Sequence, residues 1–265
     1  MKNYFLIKNT VYLVILFLTI IFSGFIIEKS NLSNLNFNKV NEVFFLFFPL
    51  EYSKEFLYTT IENTFITVSI ATISVLISTF ISLPMSVFCS NNLSSSTIFK
   101  NKNKIKDLSR YFLRTNFLFL RSLPEIIVAL LLVRIFGLGV NAAILSIVIT
   151  FTGFMTKVFI EIIDSSNSIS SENLIRSGAG KFKVFFYTTL PICSKEIISY
   201  IVFRWECAIR TSLILGIVGA GGLGQQMELA IKMMDLNEVS TIVFVLIFLV
   251  YICDQISNFI RKVFV

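Results

Sequence analysis

Residues 215–228 read L-G-I-V-G-A-G-G-L-G-Q-Q-M-E. Gly219, Gly221 and Gly224 fit the dinucleotide fingerprint G-x-G-x-x-G, and an apolar run precedes them. That fingerprint works only between a short strand and a helix of a βαβ unit, with an acidic residue about 20 positions on to hold the ribose. Here the apolar run starts near Ile192 and is too long for a strand, and the downstream acids Glu228, Asp235 and Glu238 come too soon. The same letters read better as the end of a membrane helix. Gly219, Gly221, Gly222 and Gly224 allow positive φ and close approach of backbones. Irregular backbone at membrane depth is tolerated where it is buried in protein or lines a cavity. The turn is therefore expected to close or line a pathway between helices.

Composition decides between the two readings. Of 265 residues, 55% are hydrophobic, 29 are Phe and only 15% are charged, against about a quarter charged in a soluble domain. So much apolar surface implies a polytopic membrane protein. There is no His, which removes His-based triads, most zinc sites and His-ligated haem. Cys89, Cys193, Cys207 and Cys253 form no C-x-x-C and lie in or beside apolar stretches, so they read as small buried hydrophobes.

Crossing about 30 Å of hydrocarbon takes about 20 helical residues. Six stretches qualify: Thr10–Ile27, Ile61–Cys89, Phe112–Phe136, Val140–Ile163, Ile192–Val218 and Val239–Ile260. The first has Lys2 and Lys8 before it but no small-residue cleavage site after it, so it reads as a retained span rather than a signal peptide. Six spans put both termini on one side. With that side cytoplasmic, the inner Lys and Arg are Lys2, Lys8, Lys100, Lys102, Lys104, Lys106, Arg110, Arg176, Lys181, Lys183, Arg261 and Lys262; the outer ones are Lys29, Lys39, Lys54 and Lys232. This bias obeys the positive-inside rule. It also accounts for the net charge of +7 without nucleic acid. The basic loop Asn91–Lys106 reads as a solvated cytoplasmic segment near anionic lipid. The expected organisation is an N-terminal span and outer loop over 1–60, with an interfacial helix over Val43–Leu50, and a transmembrane domain over 61–265.

Ser177-Gly178-Ala179-Gly180-Lys181 imitates a P-loop, but G-x-x-x-x-G-K-[ST] fails at Ile175 and Phe182. The segment around it, between the fourth and fifth spans, is more informative. Ser170 or Ser171 can cap a helix, with Glu172 in its first turn. Gly178 and Gly180 break that helix, and a second amphipathic stretch, Phe182–Leu190, runs into Pro191. Helix, turn and helix on the cytoplasmic face suit a docking element.

Glu172, Gly178 six residues on, and Leu190-Pro191 resemble the coupling loop of ABC-importer permeases, whose pattern is E-A-A, a glycine, then L-P. The sequence departs from it at Asn173-Leu174 and at Arg176-Ser177. Arg121-Ser122-Leu123-Pro124-Glu125, Phe203-Arg204-Trp205-Glu206, Arg210-Thr211-Ser212 and the glycine turn further resemble the phosphonate-transporter permease family, over about residues 55–260. The turn alone is shared with methionine-type permeases. The resemblance implies an all-α type I importer permease fold of about six transmembrane helices, with a coupling loop over 165–191. It implies a homodimer working with a cytoplasmic ATPase dimer and an extracytoplasmic binding protein in the cytoplasmic membrane. Bond chemistry belongs to the ATPase; no catalytic residue, metal or cofactor is expected in this chain.

Arg204, Glu206 and Arg210 lie within the fifth span, Arg121 and Glu125 near the inner end of the third, and Asp254 in the sixth. Charges there are costly and usually face a bundle interior or an aqueous path. Glu206 and Arg210 are spaced i, i+4 and can pair on one face. Arg204 projects elsewhere and is expected to meet Glu125 or Asp254. Either these residues brace the bundle, or Arg210 and Arg204 offer positive charge to a passing phosphonate-like anion, whose oxygens a guanidinium matches bidentately. The rival substrates are phosphite, phosphate and methionine. A membrane-embedded enzyme lacks a convergent base or metal cluster, and a secondary transporter lacks the expected internal repeat.

Overall fold

The computed structural model describes residues 17, 48, 50–93, 104–166 and 169–264. The elements below all belong to the unit Pro49–Val265. Among the described residues all regular structure is helical: α1 Lys54–Cys89, α2 Lys104–Ser122, α3 Glu125–Phe136, α4 Val140–Ser165, α5 Ile169–Arg176, α6 Lys181–Val184, α7 Leu190–Leu215, α8 Gly222–Met233 and α9 Leu236–Phe264. The first expected span and the Val43–Leu50 patch lie almost wholly outside the described residues. Helices α1, α4 and α9 are long and apolar enough to cross a membrane, and the chain Lys181–Ala220 adds a fourth crossing when taken with α8, to which it is bent by 53°.

The most buried of these helices is α4. Ile147, Phe151, Met155 and Phe159 recur every four residues and are fully buried, as a stripe at the helical repeat requires. Its largest contact is with α1. There α1 presents a column of small polar residues, Thr67, Ser74, Ser78, Ser82 and Ser86, all buried. Small side chains let helices approach closely without a water-driven term. Ser74 donates to the Ile70 carbonyl at 2.6 Å and Ser78 to the Ser74 carbonyl at 2.7 Å, while Ser82 donates across to the Thr152 carbonyl of α4 at 3.3 Å.

Two expectations change. The third span is two helices, α2 and α3, broken at Leu123-Pro124. Proline has no N–H and its ring disfavours the helical region for the residue before it, so an apolar stretch that averages like one span is split. And α5 starts at Ile169, which puts Ser170 and Ser171 inside the helix rather than at its cap.

The chain Lys181–Ala220 holds a wide π-helical turn, Phe185–Thr189, ahead of α7, and past α7 it kinks at Gly219, whose φ of 94° is not helical. Pro191 cannot donate to a carbonyl four residues back, and the π turn sits just ahead of it.

One end of the bundle gathers the starts of α1, α4 and α9 with the glycine turn: Glu51 N–H donates to Thr241 at 3.0 Å and Gly139 N–H to the Gly219 carbonyl at 3.0 Å. The other end gathers the ends of α1 and α4, residues 91–93, and α5–α6.

Candidate functional site

The segment between α4 and α7 folds as a helical hairpin set against the bundle. α5 closes on Gly178 at φ 88°, with Gly178 N–H bonded to the Ile175 carbonyl at 3.0 Å and Ala179 N–H to the Leu174 carbonyl at 3.1 Å. This is a Schellman closure. A Cβ at Gly178 would meet nothing within 4 Å, so the backbone conformation, not space, calls for glycine. Ile175, Val184 and Phe185 bury their side chains with Val87 and Leu93 beyond the end of α1 and Ile163 at the end of α4, and Leu190 packs on the same cluster. Glu172 and Arg176 pair at 2.6 Å on the half-exposed flank, and Pro191 is exposed at the start of α7. The outward side carries Ile169 at 78% exposure and Tyr187 at 80%. The segment thus has one side locked to two long helices, while its exposed residues mix polar and charged groups (Ser170, Asn173, Arg176, Lys183) with Ile169, Phe182 and Tyr187.

Beside it, Asp164 at the end of α4 ties three elements together. Its carboxylate accepts Asn91 N–H at 2.8 Å and Asn92 N–H at 3.2 Å, and pairs with Arg114 of α2 at 2.7 Å. Arg114 also donates to the Cys89 carbonyl at 2.9 Å. These contacts bind the ends of α1, α2 and α4 to one another.

At the opposite end the glycine turn reverses the chain into α8. Gly221 and Gly222 take φ 91° and 71°, and a Cβ on Gly222 would collide with the Thr67 hydroxyl. That hydroxyl accepts Leu223 N–H at 3.0 Å, capping α8 from α1. Gly219 also has positive φ. Gly224 serves proximity instead: its Cβ would lie 2.8 Å from Gly216 Cα.

In the middle of the bundle the charged residues divide into two groups. Glu206, on α7, is 7% exposed and pairs with Arg210 on its own helix and with Arg261 of α9 at 3.5 Å. Arg261 is held in turn by the Ser257 hydroxyl at 2.7 Å. Arg204 meets neither Glu125 nor Asp254. Its guanidinium carbon sits 4.3 Å from the Phe154 ring centre, 5.2 Å from Phe151 and 5.4 Å from Tyr200, and its Nε donates to the Tyr200 hydroxyl at 2.9 Å. Arg121 approaches the same Phe154 ring at 5.8 Å. Glu125 instead accepts from Thr211 at 3.0 Å, and Asp254 from Asn258 at 3.2 Å. The reason is helical phase: Tyr200 lies one turn before Arg204, while Phe151 and Phe154 form the facing side of α4. Gly153 lets the end of α2 come this close, since a Cβ there would be 2.8 Å from the Arg121 nitrogen.

A charge at mid-membrane costs about 2.5–3.5 kcal/mol on insertion scales, whereas a cation–π contact returns roughly 0.5–2 kcal/mol. The aromatic contacts hold the Arg204 and Arg121 side chains in place without cancelling their charge. Four guanidiniums, of Arg121, Arg204, Arg210 and Arg261, thus stand against three carboxylates, of Glu125, Glu206 and Asp254, which leaves a net positive balance. The aromatic shelf and Arg261 are the functional candidates that sequence reasoning passed over. Tyr200–Arg204 at i, i+4 and Phe151–Phe154 at i, i+3 were the available signals, but only the packing of α4 on α7 joins them. Among the described residues no three Cys, Asp or Glu side chains gather to hold a metal ion. Cys89, Cys193 and Cys253 are buried and Cys207 is half-buried, all as free thiols.

Residues 93–265 match the family model described as the binding-protein-dependent transport system inner membrane component. A phosphite transport system permease protein of Stutzerimonas stutzeri is 30% identical over 145 residues, 55% of this chain and 53% of that protein. A phosphate-import permease protein of Mycolicibacterium smegmatis is 27% identical over 197 residues, 74% of this chain and 35% of that protein. The matched stretch thus spans about half, or less, of these relatives' length. Among solved structures, the MetNI methionine ABC transporter in its inward facing conformations superposes with a TM-score of 0.68 at 18% identity, covering 81% of this chain and 100% of the matched chain. That likeness establishes the fold, an ABC-importer permease bundle. The chain belongs to the family of binding-protein-dependent transport system inner membrane components.

Proposed function

We propose that this chain is the permease subunit of an ATP-driven importer for a phosphonate or a related phosphorus oxyanion such as phosphite or phosphate. The observation that carries the coupling part is the α5–α6 hairpin, buried on one side against α1 and α4 and exposed on the other. A cytoplasmic ATPase dimer docks on the open side, around Glu172, Gly178 and Pro191, and its closure is transmitted through the packed side, where Leu190 lies. The positive-inside bias supports a cytoplasmic location for the hairpin and for both termini. The names of the phosphite and phosphate relatives support the substrate class, as does the surplus of guanidinium over carboxylate in the bundle.

In this reading two copies of the chain enclose the path, an extracytoplasmic binding protein delivers the anion at the glycine-turn end, and the bundle alternates its access. Arg121, Glu125, Arg204, Glu206 and Arg210 line that path, and Gly219, Gly221, Gly222 and Gly224 shape its outer closure. The test is uptake into proteoliposomes containing the chain, its ATPase and its binding protein. Accumulation of phosphite, methylphosphonate or phosphate that requires internal ATP is expected. Accumulation driven by an ion gradient without the ATPase would identify a secondary transporter instead.

A further inference from the structure

Resting on that functional reading, we infer that Arg204 and Arg121, set against the Phe151–Phe154–Tyr200 shelf, form the seat for the anion in transit. Arg210 is already neutralised. Its partner Glu206 is buried and is shared with Arg261, so a passing anion would have to compete with a carboxylate for it. Arg204 and Arg121 have no carboxylate partner among the described residues; Glu125, the nearest candidate in sequence, is turned to Thr211. The Arg204 Nε is spent on Tyr200, but its two terminal nitrogens have no hydrogen-bond acceptor among the described residues. The aromatic contacts use no N–H donor, so the fork that matches phosphorus oxyanions two oxygens at a time remains available.

Position agrees with this use. Phe151 and Phe154 lie near the middle of α4, and Arg204 lies about 21 Å along α7 from Leu190 at 1.5 Å per residue. Both guanidiniums approach one ring, so they are no farther apart than the sum of their 4.3 and 5.8 Å separations from it. An anion leaving one can be received by the other. Arg204 is half-buried and Arg121 exposed on this chain, so both can be reached. A shelf that orients the cations without neutralising them favours entry of an anion while leaving few fixed contacts to delay its release, as conduction requires.

The test uses the whole importer in proteoliposomes, with phosphite, methylphosphonate and inorganic phosphate as probes. Removing one charged two-point contact should lower maximal uptake by about tenfold or more in Arg204→Gln and in Arg121→Gln. The half-saturating concentration, set by the binding protein, should not change. Arg204→Lys should recover part of the loss, because charge is kept and the fork is lost. Phe154→Leu, which keeps both charges, should lose less than Arg204→Gln. Normal uptake by both Gln variants would overturn the inference. So would equal losses in Arg204→Lys, Arg204→Gln and Phe154→Leu, which is the pattern of a packing role. If Arg204→Gln fails to assemble, exposed Arg121→Gln decides alone. Failure of the unmodified importer to take up any of the three probes would overturn the functional reading itself, and this inference with it.

Discussion

Gly222 and Gly180 are both glycines in or near turns, yet their chemistry predicts opposite sensitivities. Gly222 has φ 71°, and a Cβ there meets the Thr67 hydroxyl that caps α8. Gly180 has ordinary φ, and a Cβ there meets nothing within 4 Å. Gly222→Val should cost at least about 1–3 kcal/mol from backbone strain alone, lowering the unfolding midpoint of the detergent-solubilised protein. Gly180→Ala should stay within about 0.5 kcal/mol. Equal midpoints for both variants would contradict the close packing of the turn. The Glu206 cluster gives a second asymmetry. Arg210→Gln leaves Glu206 paired with Arg261, so assembly should persist and uptake should fall less than in Arg204→Gln. Glu206→Gln leaves two guanidiniums facing each other and should cost more stability, about 1–3 kcal/mol, less than the 3–5 kcal/mol of a fully buried pair because Arg210 is half exposed. Comparing the two midpoints checks this order. The Glu206–Arg210 pair was legible from its i, i+4 spacing. The Arg261 partner was not, because that residue stands more than fifty positions further on, on α9.

At the scale of elements, the hairpin is the part most exposed to test. Phe185 is 3% exposed within the cluster that joins α5–α6 to α1 and α4. Phe185→Ala should remove about 3–5 kcal/mol of packing at this joint while leaving the outward face with Ile169 and Tyr187 intact. The ATPase should still co-purify, but its hydrolysis should respond less to the liganded binding protein. A normal response would show that this packed side carries no signal. The helix-turn-helix character of this segment was readable from Glu172, Gly178, Gly180 and Pro191, since glycine and proline act locally. The split of α2 from α3 was also written locally, in Leu123-Pro124, but a hydropathy window averages across it. The joining of hairpin to bundle through Val87, Leu93 and Ile163 has no local signature, because those residues look like ordinary span ends.

For the molecule as a whole, composition alone restricted the chain to a helical membrane bundle. The glycine run was correctly separated from a nucleotide turn by the length of what precedes it. Which helix packs at the centre depends on the small polar column of α1 and the aromatic stripe of α4 meeting, and only the assembled bundle reveals that. Transport in this reading depends on an ATPase that grips the open side of α5–α6. Tyr187, in the turn that follows α6, is 80% exposed, whereas Leu138, 73% exposed beside the glycine turn, lies at the other end. Each is replaced by Cys in the full importer, and a short bifunctional thiol reagent is applied. Tyr187→Cys is predicted to cross-link to the ATPase subunit and Leu138→Cys is not. A Leu138→Cys cross-link, or labelling of Tyr187→Cys in intact cells by a thiol reagent that cannot cross the membrane, would contradict the account.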